Sequence, residues 1–84
     1  MKVEILAKPS EPTGHLERLV QNAASSMKIQ VQVFKTNNFS AYSHLAINPT
    51  LTPIIIINGS VEFAGKPPEF EVLKKRFAEI IRRQ

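Results

Sequence analysis

The chain has 84 residues, enough for one small domain with one core spanning 1–84 and too few for two. It contains no cysteine, which excludes a disulfide framework, a thiolate metal site and a dithiol redox couple. The net charge of +4 invites a nucleic-acid reading, yet most of the excess sits in "LKKRFAEIIRRQ". There the basic residues fall between apolar ones at helical spacing, the pattern of a solvated helix face, and the interleaved aromatics of single-strand binders are missing. The longest apolar run, "PIIII", is far below membrane-spanning length, and "MKVEILAKP" is too short and too charged for a secretory signal. The cytoplasm is therefore the expected compartment and no membrane is expected as a partner.

In chain order, Lys2 to Ala7 reads as a strand. Gly14 to Lys28 places Leu16, Leu19, Val20, Ala23, Ala24 and Met27 on one face of a helix. Between them "AKPSEPTGHL" carries two prolines and small polar residues. Such a strand-to-helix junction is a common place for chemistry in α/β proteins, because loop groups and a helix N-terminus converge there. Ile29 to Lys35 alternates strictly, with Ile29, Val31 and Val33 on one side and Gln30 and Gln32 on the other, as in a half-exposed strand near a sheet edge. Phe39 to Ile47 is less periodic and reads as a short helix after the capping residues of "TNNFS".

Ile54 to Ile57 is apolar on both faces and reads as a central strand. Asn58-Gly59 supplies a two-residue hairpin turn, with Ser60 to Ala64 as the partner strand. The last helix is announced by "GKPPE", with Pro68 in its first turn and Phe70, Leu73, Phe77, Ile80 and Ile81 as its buried stripe. The resulting order, β-α-β-α-β-β-α, predicts an α/β fold. A right-handed parallel crossover and an antiparallel hairpin share one mixed four-stranded sheet, flanked by helices on both faces.

That order, together with "NPTLTPIIIINGSVEFAGKPP", resembles the thioredoxin-like superfamily. The likeness extends to its very small thioredoxin-like and glutaredoxin-like members known as redox-active disulfide proteins. It runs over nearly the whole chain, and its most specific part is Thr52-Pro53 followed by an apolar strand and Asn58-Gly59. The resemblance implies a cis-proline at Pro53, and it implies that the family's Cys-x-x-Cys motif corresponds to Ser10-Glu11-Pro12-Thr13. Both sulfurs are thus replaced by hydroxyls, which are not ionised near neutral pH and form no mixed disulfide.

Ser10 and Thr13 then have two readings. In the plain one, Ser10 caps the first helix, Pro12 fixes its first turn and Glu11 complements the helix dipole. In the chemical one, a hydroxyl nucleophile is assisted by His15 or His44, although the spacing supplies neither a contacting base nor a group to orient it. Two histidines without a third ligand make a weak metal site, so neither metal nor cofactor is expected. Lys8, at the strand end, suits attraction of an anionic ligand, and Phe39, Tyr42 and Phe63 read as packing residues.

The resemblance also implies a docking surface that needs no cysteine. The residue before the cis-proline presents its backbone to an extended peptide or to a glutathione-like ligand, as in β-augmentation. Leu51, Thr52 and Pro53 match that position, although "INPTL" is longer and richer in proline than the family segment. The expected site is therefore Ser10, Glu11, Pro12, Thr13, Leu51, Thr52 and Pro53, in a non-catalytic binding or scaffolding domain. A glutathione-dependent or hydroxyl-based enzyme at the same loop is the alternative from another class. A basic nucleic-acid-associated domain using Lys74, Lys75, Arg82 and Arg83 is the third.

Overall fold

A computed structural model describes residues 1–83. Strand β1 (Lys2–Leu6) is followed by helix α1 (Gly14–Ser26), strand β2 (Gln32–Thr36), a single 3₁₀ turn (Phe39–Tyr42), strands β3 (Ile54–Ile57) and β4 (Ser60–Ala64), and helix α2 (Phe70–Arg82). The sheet order is β2-β1-β3-β4, with β1 and β2 parallel and the other two pairs antiparallel. This is the mixed four-stranded α/β sheet that the sequence predicts. Among the described residues no helix is long and apolar enough to cross a membrane.

The two faces of the sheet are covered unequally. Alternation along β1 sends Val3 and Ile5 to one face, where Ile55 and Ile57 join them. Leu16, Val20, Ala23 and Ala24 of α1 and Leu73, Phe77 and Ile80 of α2 pack on that same side. Leu6, Ile54 and Ile56 point to the other face, where Phe39, Tyr42, Leu45 and Ile47, from the 3₁₀ turn and the loop after it, pack against them. Both α-helices thus share one face, and the expected helix over 39–47 is a four-residue 3₁₀ turn. Its run of Asn, Ser and Thr offers side-chain hydrogen bonds that compete with helix propagation, and Ser40 Oγ donates to Asn38 Oδ1 at 2.7 Å.

The β3–β4 hairpin turns on Asn58 (φ 49°) and Gly59 (φ 86°), both left-handed as a tight two-residue turn demands. A bulge interrupts its ladder: Ile55 pairs Phe63 and Ile56 pairs Val61, leaving Glu62 as the extra residue. Ile81, expected in the buried stripe, is 44% exposed. The stripe is centred on Leu73, Phe77 and Ile80, and the next residue is turned about 100° away from it.

Candidate functional site

The register gathers three strand ends at one end of the sheet. Leu6, the last residue of β1, lies opposite Thr36 at the end of β2 and opposite Ile54 at the start of β3. The loop that leaves β1 through Ser10–Thr13 and the segment that enters β3 through Leu51–Pro53 therefore depart from the same end of the sheet.

Residues 8–11 close a tight turn. The Glu11 N–H donates to the Lys8 carbonyl at 3.0 Å, and the Lys8 N–H donates to Glu11 Oε1 at 3.1 Å. Glu11 is thus a loop staple and does not stand in a helix's first turn. Ser10 and Pro12 are exposed, and the Ser10 hydroxyl has no hydrogen-bond partner among the described residues. The expectation that Ser10 caps α1 and Pro12 opens it is corrected, because the helix starts at Gly14 with Thr13 as its N-cap. The prolines explain the delay. Each disfavours helical backbone in the residue before it, so neither Lys8 nor Glu11 readily joins a helix. Thr13 is 2% exposed; its carbonyl accepts the Glu17 N–H at 2.9 Å and its Oγ1 donates to Glu17 Oε2 at 3.0 Å.

On the other side of the site, Asn48 Oδ1 accepts from the Thr50 N–H at 3.0 Å and from Thr50 Oγ1 at 2.7 Å. The Leu51 N–H donates to the Asn48 carbonyl at 3.0 Å. The Leu51 carbonyl accepts the Gly65 N–H at 2.7 Å, and the Leu51 side chain, 46% exposed, lies against Gly65. Gly65 holds φ 100°, a conformation that favours glycine. The Thr52–Pro53 peptide is cis. Neither the N–H nor the C=O of Thr52 has a partner among the described residues, so of the three positions only Thr52 keeps both backbone groups free.

A cavity of about 320 Å³ adjoins this end of the sheet, lined by Ala7, Lys8, Pro9, Lys35, Thr36 and Asn37. The sequence reading passed over Lys35, Thr36 and Asn37. The signal available was the parallel βαβ unit itself, which brings the C-terminal ends of its two strands together.

A family model described as a thioredoxin domain matches residues 1–78. The chain belongs to the thioredoxin-domain family. No curated protein and no solved structure gives a match. This thioredoxin domain has no cysteine, so it lacks the thiolate on which dithiol exchange depends. Among the described residues no histidine is hydrogen-bonded to the Ser10 or Thr13 hydroxyl, and Thr13 Oγ1 donates to the Glu17 carboxylate at 3.0 Å. Among the described residues no group of three or more His, Cys, Asp or Glu side chains is placed to hold a metal ion.

Proposed function

We propose that this thioredoxin domain is a non-catalytic, cytoplasmic binding domain. It takes the extended backbone of a peptide, or of a glutathione-like ligand, along Thr52 and beside the Ser10–Thr13 loop. The single observation that carries the reading is the free N–H and C=O of Thr52 at the end of the sheet where the loop after β1 also emerges. An extended backbone laid along Thr52 forms a short strand-like pair, and Leu51, Pro12 and Pro9 supply an apolar rim. Without a covalent intermediate, affinity rests on these contacts alone, and interfaces of that size and polarity are weak and transient.

Amide chemical-shift mapping tests this with glutathione and with a short extended peptide as probes. Shifts are expected at Ser10, Glu11, Thr13, Leu51 and Thr52. Shifts confined to Lys74 through Arg83 and abolished by moderate salt would overturn the reading in favour of an electrostatic site on α2.

A further inference from the structure

We propose that the outer edge of β2 pairs antiparallel with β2 of a second copy of this chain, making one continuous eight-stranded sheet. The hydrogen-bond pattern identifies which groups are free. The Gln32 N–H donates to the Met1 carbonyl at 2.9 Å, and the Thr36 carbonyl accepts the Ala7 N–H at 3.0 Å. In a parallel ladder the residues that face the neighbour alternate, so Gln32, Phe34 and Thr36 turn their backbone groups to β1. Val33 and Lys35 turn theirs outward, where no strand of this sheet lies.

This edge has no proline, no glycine and no bulge to block strand addition, and Lys35 is its one charged residue. The stretch "IQVQVF" (29–34) holds no charge, no proline and no glycine, and is rich in β-branched residues. Lys28 precedes the stretch, and Lys35 follows it within β2. The opposite edge of the sheet differs: β4 is bulged at Glu62, and Arg76 Nη1 donates to the Glu62 carbonyl at 3.0 Å. A groove of about 570 Å³ beside β2, lined by Met1, Gln21, Ser25, Ile29, Gln30, Val31 and Gln32, has no charged side chain, its one charge being the Met1 α-ammonium, which donates to the Gln30 carbonyl at 3.1 Å. Depletion of charge is the compositional mark of an interface core.

The occupant follows from self-complementarity. A two-fold axis at Phe34 sets Val33 opposite Lys35 of the second copy, so the outward groups of each exchange both hydrogen bonds. The same axis brings Phe34, 48% exposed, against Phe34 of the second copy as a close cross-strand aromatic pair. No like charges lie directly opposite in this register. On the Phe34 face the nearest charged side chains, Lys2 and Glu4, carry opposite charges 3.9 Å apart, and the Lys2 Nζ lies over the Phe34 ring at 5.7 Å. The antiparallel arrangement sends the C-terminal ends of the two β2 strands in opposite directions, which leaves both Thr52 surfaces open. The dimer therefore stands or falls apart from the peptide-docking reading.

Sedimentation across a dilution series tests it. Wild type is expected to reach twice the 9.4 kDa chain mass, and both Val33→Pro and Phe34→Lys to fall to the single-chain mass. Val33→Pro removes an outward N–H, whereas Phe34→Lys sets two cations opposite and leaves the backbone intact, so it keeps the test open if the proline variant fails to fold. Hydrogen exchange gives the second readout. The Val33 and Lys35 amides are protected in wild type and lose protection in Phe34→Lys, while Gln32 and Phe34 position amides stay protected by β1. A wild type that is monomeric throughout the series, a dimer that survives Phe34→Lys, or Val33 and Lys35 amides that exchange freely in the dimer would each overturn the proposal.

Discussion

Tyr42 fastens the thinly covered face of the sheet to β1. Its hydroxyl donates to Glu4 Oε2, and partial burial, that hydrogen bond and the carboxylate's charge together push its pKa from the ordinary 10 up to about 12. The unfolded chain therefore releases this proton first. The stabilisation is complete below pH 10 and is lost as pH rises from 10 to about 12. Tyr42→Phe is expected to cost about 1 kcal/mol at neutral pH, and chemical denaturation against pH should show an alkaline decline in wild type that is reduced in the variant. Nothing local in the sequence announces this pair, since its members lie 38 positions apart. The Ser10 position teaches the converse. Membership of the thioredoxin-domain family was legible, but the cap was not, because two prolines move the helix start to Gly14. A thiol in Ser10→Cys lies ahead of the first turn, outside the reach of the helix dipole. Its alkylation rate should titrate near the ordinary cysteine pKa of about 8.5, and a midpoint well below that would place Ser10 within the helix field.

At the level of elements, periodicity gave the strands and helices, and their ends depended on geometry that residue type does not advertise. Helix α1 stops because Lys28 takes a left-handed conformation, φ 58°. The Lys28 N–H donates to the Ser25 carbonyl at 3.0 Å and the Ile29 N–H to the Ala24 carbonyl at 2.9 Å, the paired bonds of a Schellman closure usually built on glycine. The turn occupies 27–28 and residues 29–31 carry the chain from it to the sheet, so β2 begins at Gln32 although the alternation starts at Ile29. Lys28→Gly removes the left-handed penalty of about 1–2 kcal/mol and adds about 0.5–1 kcal/mol of backbone entropy cost. The net expectation is a gain of roughly 0.5 kcal/mol in urea denaturation. The β4 bulge was equally hidden, and it directs Glu62 to α2, where Arg76 Nη1 lies at 2.8 Å and Arg83 Nη2 at 3.6 Å. Arg76 also stacks over the Phe63 ring at 4.8 Å. Arg76→Ala should cost about 1 kcal/mol through both contacts. Added salt should weaken the Glu62 contribution only partly, because that carboxylate side chain is 9% exposed.

Across the whole molecule the sheet separates a packed side from a thin one. On the packed side Phe77, fully buried, joins β1, β3 and α1 in one cluster with Leu73 and Ile80. On the thin side Leu6, Ile54 and Ile56 are just as buried, yet their cover is a 3₁₀ turn and a loop whose Phe39, Tyr42, Leu45 and Ile47 are each partly exposed. Cover with few buried contacts and no regular ladder opens at low free energy, independently of the core. Phe77→Ala is therefore expected to cost about 3–5 kcal/mol, a large share of the stability of a domain this small. Phe39→Ala leaves a site already open to solvent and should cost about 1–2 kcal/mol. Native-state hydrogen exchange separates the two sides without mutation. Amides of β1, β3 and α2 should exchange only with global unfolding, whereas those of 39–51 should exchange through local opening that denaturant accelerates little. The loop ends at Leu51, immediately before Thr52, so this opening sets how rigidly the proposed docking position is held. If the 39–51 amides instead track global unfolding, the thin face is as tightly held as the helical one, and the Thr52 backbone is preorganised in the free protein.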